Sequence, residues 1–230
     1  MVETETLVRP GVKEFSRSSY SIAMDLGQAN DPSAIAIIEH LQTQVLSVKG
    51  EVLERKQRFD LRHIETLPLQ LSYVEQAAYV EALLQREPLV SSSEFALDYT
   101  GVGRPVSNIF EAAGLRPICV SITSGEQQVQ HGLRHFGVPK KTLISALDAR
   151  LHTGEFRVAA GLSEANALAE ELKDFRRKTS SVGRFSYDAR TGRHDDRLIA
   201  AALALWVHVG RPIPPTPYVG RYSYVNHSTR

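Results

Sequence analysis

Apolar and polar residues fall into short blocks along this chain, and the block lengths set the elements. Residues 20–26 (YSIAMDL) and 33–39 (SAIAIIE) are runs rich in small and β-branched apolar side chains. They are long enough for strands and too short for helices. Residues 27–32 between them are turn chemistry, with no room for a helix. Residues 57–66 alternate weakly and predict a third, antiparallel strand. From 73 to 86 the spacing turns helical, with Val74, Ala77, Ala78, Ala82 and Leu83 on one face. Residues 94–98 (EFALD) read as a buried strand and 105–113 as a short helix with proline near its start. Residues 116–122 form the next strand. Helices are predicted over 139–152 and over 163–177, the second opened by Ser163 as N-cap. A short edge strand is expected at 156–158, two segments flanking a turn at 182–187 and 190–194, and an apolar helix at 195–209.

Three consecutive strands followed by alternating helices and strands is the ribonuclease H-like arrangement. The expected fold class is therefore α/β, with a mixed central sheet of five strands, or slightly more, flanked by helices. A flavodoxin-like order would need a helix between the first two strands, where none fits. Residues 1–19 read as a polar N-terminal arm, 20–209 as the globular domain and 210–230 as a C-terminal tail holding four of the eleven prolines.

Composition adds little and excludes more. The 230 residues are 42% hydrophobic and 23% charged, the balance of a soluble globular domain with a full core. The single cysteine, Cys119, excludes an internal disulfide and a cysteine zinc site, and its apolar strand predicts an inert buried thiol. The longest apolar run, 198–209, is too short to span a bilayer. The first ten residues lack the apolar core of a secretory signal, so a cytoplasmic location is expected. A net charge of +1 excludes a uniformly basic coat. Between 173 and 197, however, eight bases (Lys173, Arg176, Arg177, Lys178, Arg184, Arg190, Arg193, Arg197) face four acids (Asp174, Asp188, Asp195, Asp196).

The candidate chemistry lies in those acids and two others. Asp25 ends the first strand, Asp98 ends the 94–98 strand, and Asp195 and Asp196 open the last helix just after His194. Strand ends and helix starts are where open α/β sheets collect ligands. Taken singly, each aspartate is better explained as a turn or cap residue. Gathered together, they would repel one another unless a cation joined them, and oxygen-only ligands select Mg²⁺ or Mn²⁺ over zinc. Two such ions can activate a water and stabilise a leaving oxygen in phosphodiester cleavage.

Several segments taken together resemble the nuclease domain of phage and prophage terminase large subunits: AMDLGQANDPSAIAII, FALDYTGVGRPV, PICVSIT followed by SG, VPKKTLISAL and GRHDDRLIAAALA. The resemblance runs from about residue 20 to 209. It implies a ribonuclease H-like fold and a two-metal DNA endonuclease making viral packaging cuts in a bacterial host. Carried over, Asp25 and Asp98 take the first two metal-ligand positions, and Asp195 and Asp196 share the third. His194 would orient a carboxylate or touch phosphate. Gly101 and Gly103 would let the backbone pass close to the site. Arg176, Arg177, Lys178, Arg184, Arg190 and Arg193 would hold DNA phosphates, with 185–193 resembling a hairpin that precedes the last acidic motif in that family. Lys140 and Lys141 read as weaker candidates, ordinary surface residues at a helix start.

One departure is large. The sequence contains no G-x-x-x-x-G-K-[ST], so ATP-driven translocation is not expected of it. Two readings stand, the nuclease part of a larger terminase subunit or a stand-alone nuclease whose motor is a separate chain; the expected partners are double-stranded DNA and a separate packaging ATPase, small terminase or portal protein, with no membrane. The alternatives are a Holliday-junction resolvase-like nuclease and a non-catalytic DNA-binding packaging component. A nucleotide-binding protein of the actin and sugar-kinase superfamily would need two halves that 230 residues do not supply.

Overall fold

The structure, a computed structural model, describes residues 2–9, 12–27, 31–90, 92–101, 104–174, 176–179, 185–188 and 195–212; for 2–9, 174, 176–179 and 185–188 the description is of the backbone. Its elements in chain order are β1 (Val2–Arg9), β2 (Val12–Asp25), β3 (Ala34–Ser47), β4 (Val52–Thr66), α1 (Tyr73–Leu84), β5 (Ser93–Asp98), α2 (Arg104–Ala112), β6 (Ile118–Thr123), β7 (Val129–Gly132), β8 (His135–Pro139), α3 (Lys140–Thr153), β9 (Phe156–Val158), α4 (Ala165–Asp174), β10 (Arg176–Thr179), β11 (Phe185–Asp188) and α5 (Asp196–Val209).

Nine strands form one mixed sheet, in the order β7-β8-β6-β5-β2-β3-β4-β9 with β1 paired to β2. At its centre lies the expected five-stranded mixed core, β4-β3-β2-β5-β6, whose β2–β3 and β3–β4 pairs are antiparallel and whose β2–β5 and β5–β6 pairs are parallel. β8 extends it in parallel beside β6, and β9 runs parallel to β4 at the other edge.

Inner-strand residues are apolar on both faces because helices cover both. On one side Ile22, Met24, Ile35, Phe95 and Leu97 pack against Ala77 and Val80 of α1 and Phe110 of α2. On the other, Ala23, Ala36, Ala96, Ile118 and Phe136 pack against α3, α4 and α5. Every residue of α5 from Leu198 to Val207 is buried, Trp206 included, as an apolar helix inside a core must be.

The long strands depart from the sequence reading. The N-terminal arm, 1–19, holds β1 and the first eight residues of β2, and β3 and β4 continue alongside them as an antiparallel ribbon beyond the helices. Ser, Thr, Gln and charged residues predominate in it, apolar side chains such as Phe15, Val52 and Leu53 are exposed there, and cross-strand bonds such as Ser16 to Thr43 at 3.0 Å join the strands. β7 and β8 were not expected. Nor does the predicted 163–177 helix reach its end: α4 stops at Asp174, and Arg176, Arg177 and Lys178 lie on β10, paired antiparallel with β11. The hairpin expected at 182–194 is thus shifted, and 180–184 and 189–194 lie outside the described residues. In α1 the buried face is Gln76, Ala77, Val80 and Leu83, while Val74 points to solvent.

Candidate active site

Side chains alternate across a strand, so Ser21, Ala23 and Asp25 share the face of β2 that α5 covers, and Ala96 and Asp98 share that face of β5. Ser21 and the two alanines are small, which lets α5 lie close. The Ser21 hydroxyl donates to the carbonyl of Ala204 at 2.8 Å. Asp25 and Asp98 stand opposite each other in the β2–β5 ladder, on strands about 4.8 Å apart. The N-terminus of α5 arrives over the same end of the sheet and brings Asp195, its N-cap residue, and Asp196.

Asp25 feels the other three carboxylates. Burial first, then the charges of Asp98, Asp196 and Asp195, hold the Asp25 carboxyl well above the usual range, and Lys140 works against them. Burial also raises Asp98, which is 7% exposed. Two bonds from Thr100 oppose that rise: its backbone N–H donates to Asp98 Oδ1 at 2.8 Å and its hydroxyl at 2.5 Å. The same hydroxyl accepts the Ile122 N–H at 2.7 Å, so Asp98 is braced through Thr100 to β6.

Behind α5 a second network fixes its start. Glu171 of α4 accepts the backbone N–H of Leu198 at 2.8 Å and a guanidinium N–H of Arg197 at 2.7 Å. Arg197 also pairs with Glu164, which accepts the backbone N–H and hydroxyl of Thr66 at 2.8 and 2.7 Å. Arg197 is therefore held inside the fold rather than added to an exposed basic face. Burial raises the Glu171 carboxyl, and Asp196 adds to the rise.

Of the residues singled out in the sequence, the structure brings Asp25, Asp98, Asp195 and Asp196 to one end of the sheet. Gly101 adopts φ +80°, a left-handed conformation that favours glycine, two residues past Tyr99. Arg176, Arg177 and Lys178 are placed by backbone alone. His194, Gly103, Arg184, Arg190 and Arg193 lie outside the described residues. Cys119 is buried in β6, and burial pushes its thiol up to about 11.

Lys140 is the residue that sequence reasoning undervalued. β2, β5, β6 and β8 run parallel, so their C-terminal ends share one edge, and α3 starts there directly after β8. The Lys140 ammonium lies 2.7 Å from Asp195 Oδ2, with both side chains mostly covered. Its segment, VPKKTLISAL, was visible, but its place depended on the unrecognised β8. Lys141 turns instead to Glu126.

The donor set is all oxygen, which fits a hard divalent ion and not zinc. As the side chains are rotated here, no three His, Cys, Asp or Glu among the described residues come within reach of a single ion. What gathers the acids is the backbone, and what balances them is Lys140.

No protein-family model and no curated protein matches the chain. Solved structures do. The large terminase nuclease from thermophilic phage G20c is 19% identical with a TM-score of 0.55, over 83% of this chain and 82% of that one. The same nuclease with bound magnesium is 20% identical at 0.54, over 82% and 80%. The Thermus phage P74-26 large terminase nuclease domain is 19% identical at 0.50, over 85% and 82%. The ribonuclease H-like fold that this chain adopts is thus the fold of the large terminase nuclease domains.

Proposed function

We propose that the protein is a divalent-metal-dependent DNA endonuclease of the large-terminase type. The observation that carries this reading is the pairing of Asp25 with Asp98 across the β2–β5 ladder, on the face where α5 delivers Asp195 and Asp196. The magnesium-bound and cobalt-bound states of the similar nuclease support it.

Asp25, Asp98 and the Asp195–Asp196 pair would hold the ions, Mg²⁺ or Mn²⁺, two being expected from the number of carboxylates. Bound there, divalent ions supply a more acidic water and charge stabilisation for the leaving oxygen. The chain's own residues do the positioning. Thr100 fixes the rotation of Asp98. Glu171 and Arg197 fix the first turn of α5, and with it Asp195 and Asp196. Arg176, Arg177, Lys178, Arg184, Arg190 and Arg193 bind phosphates of duplex DNA, and His194 orients a carboxylate. With no P-loop in this sequence, translocation falls to an ATPase outside it, working with a small terminase or portal protein.

The test is cleavage of supercoiled plasmid with Mn²⁺ or Mg²⁺, with Asp98→Ala and EDTA as controls. Nicking and linearisation by the parent, lost in both controls, is the expected result. Equal cutting by Asp98→Ala overturns the assignment, as does a folded parent that neither binds ions nor cuts. Cutting confined to four-way junctions replaces the terminase-type reading with a resolvase-type one.

A further inference from the structure

Resting on the nuclease reading, the geometry points to Lys140 as a displaceable counter-ion of the acidic site that becomes a phosphate ligand once the site is loaded. The Lys140 ammonium sits 2.7 Å from Asp195 Oδ2 with the two side chains 28% and 20% exposed, so water screens the pair only in part. Its charge is felt by Asp25 and Asp98 as well, opposing the rise of both. One lysine thus bears on three of the four acids. The fold accounts for its reach. β8 lies two strands from β5, about 10 Å, and Lys140 follows its last residue. An extended lysine side chain covers most of that gap and ends among the carboxylates.

A divalent ion held by Asp195 would compete with the ammonium, because both bind the same carboxylate and two cations so close repel one another. The ammonium on its flexible stem is the one that can swing away. The nearest new anion in a loaded complex is the DNA phosphate that the ions hold, and Lys140 would donate a hydrogen bond to one of its non-bridging oxygens. In the ion-free protein the same residue keeps the acids together by lowering their mutual repulsion.

The experiment compares the full chain with Lys140→Met and Lys140→Gln. Mn²⁺ binding is followed by calorimetry without DNA, thermal stability is read with and without Mn²⁺, and DNA cleavage is read at saturating Mn²⁺. Removing the competing charge is expected to tighten Mn²⁺ binding about tenfold or more. It is also expected to lower the ion-free Tm while leaving the Mn²⁺-loaded Tm near the parent's, and to lower kcat/KM for DNA about tenfold or more at full ion occupancy. Unchanged or weaker Mn²⁺ binding by either folded variant overturns the counter-ion role. Unchanged cleavage overturns the phosphate role. A parent that binds no Mn²⁺ overturns the nuclease reading beneath both, whereas a parent that binds and cuts, matched in every respect by the variants, removes the lysine alone.

Discussion

Asp98 and Thr100 form a closed brace: one carboxylate oxygen takes both the backbone N–H and the hydroxyl of a residue two positions on, and that hydroxyl in turn takes an N–H from β6. A carboxylate bonded in this way keeps one oxygen engaged twice over. It also stays closer to ionised than burial alone would allow, since bonds to the charged form oppose desolvation.

Replacing Thr100 by Val removes the hydroxyl and keeps the shape. Asp98 keeps only the backbone bond, and the Ile122 N–H loses its acceptor. Mn²⁺ affinity is expected to fall about tenfold to a hundredfold, with a stability loss of about 1 kcal/mol. Thr100→Ser should restore both. Calorimetric titration and urea unfolding read the two effects separately. A Val variant that binds Mn²⁺ as the parent does would show that the brace is structural only.

Glu171 holds the start of α5 from a neighbouring helix. Glu171→Ala leaves the Leu198 N–H without its acceptor and takes one of two carboxylates from the mostly covered Arg197. A loss of about 3 kcal/mol in unfolding free energy is expected, at the level of breaking a buried hydrogen-bonded pair. DNA cleavage should fall in parallel at temperatures well below the new Tm, because Asp195 and Asp196 ride on the loosened turn. Arg197→Met should cost less than Glu171→Ala, since the Leu198 N–H keeps its acceptor.

Asp25→Asn removes the most strained charge of the cluster. Because the folded carboxyl is held well above its unfolded value, chiefly by burial and then by Asp98, its ionisation penalises the fold. That penalty is complete above the folded pKa and absent below the unfolded value of about 4. The ion-free variant is therefore expected to melt several degrees higher than the parent at neutral pH and alike below pH 4. Addition of Mg²⁺ should raise the parent's Tm and leave the variant's nearly unchanged. Scanning calorimetry across pH and Mg²⁺ tests all three statements.

Acid should unfold the protein through two histidines at the other end of α5 from the acidic cluster. His40 of β3 stacks on Phe59 at 4.4 Å between ring centres, and His208 of α5 lies 4.8 Å from His40. Burial lowers His208 to about 3, with the His40 and Arg211 charges adding, and lowers His40 to about 4. Both stay neutral in the fold while the unfolded chain takes up protons below about pH 6.5. Their contribution is thus full above that pH and is lost as the pH falls towards 3–4. For His208 alone the loss at pH 4 is about 3 kcal/mol at most. A His208→Gln variant should show a shallower fall between pH 6.5 and 4 in chemical denaturation. An unchanged slope would mean that other groups control the acid limb.

Much of the core was legible in local pattern. Residues 20–26, 33–39 and 94–98 are apolar on both faces, which occurs only where both sides of a strand are covered, and each reading survives in β2, β3 and β5. The aspartates stood out because they interrupt or end such runs. Local pattern failed where burial was not the driving force. The ribbon formed by residues 12–19, 40–47 and 52–58 carries no apolar stripe, and its strands exist because each completes its neighbour's hydrogen bonds. β8 is only five residues, with buried Phe136 and Val138 set between histidine, glycine and proline.

The sequence by itself determined the inner strands, the helix that closes the core and the positions of the acids along the chain, because the burial of a face is written in residue spacing. The tertiary structure alone decided that Lys140 reaches Asp195, that Ile122 ties Thr100 to β6 and that Glu171 holds the start of α5. Those contacts depend on which strand ends share an edge and which helix passes behind another. Such pairings join residues up to 55 positions apart, and no local periodicity encodes them.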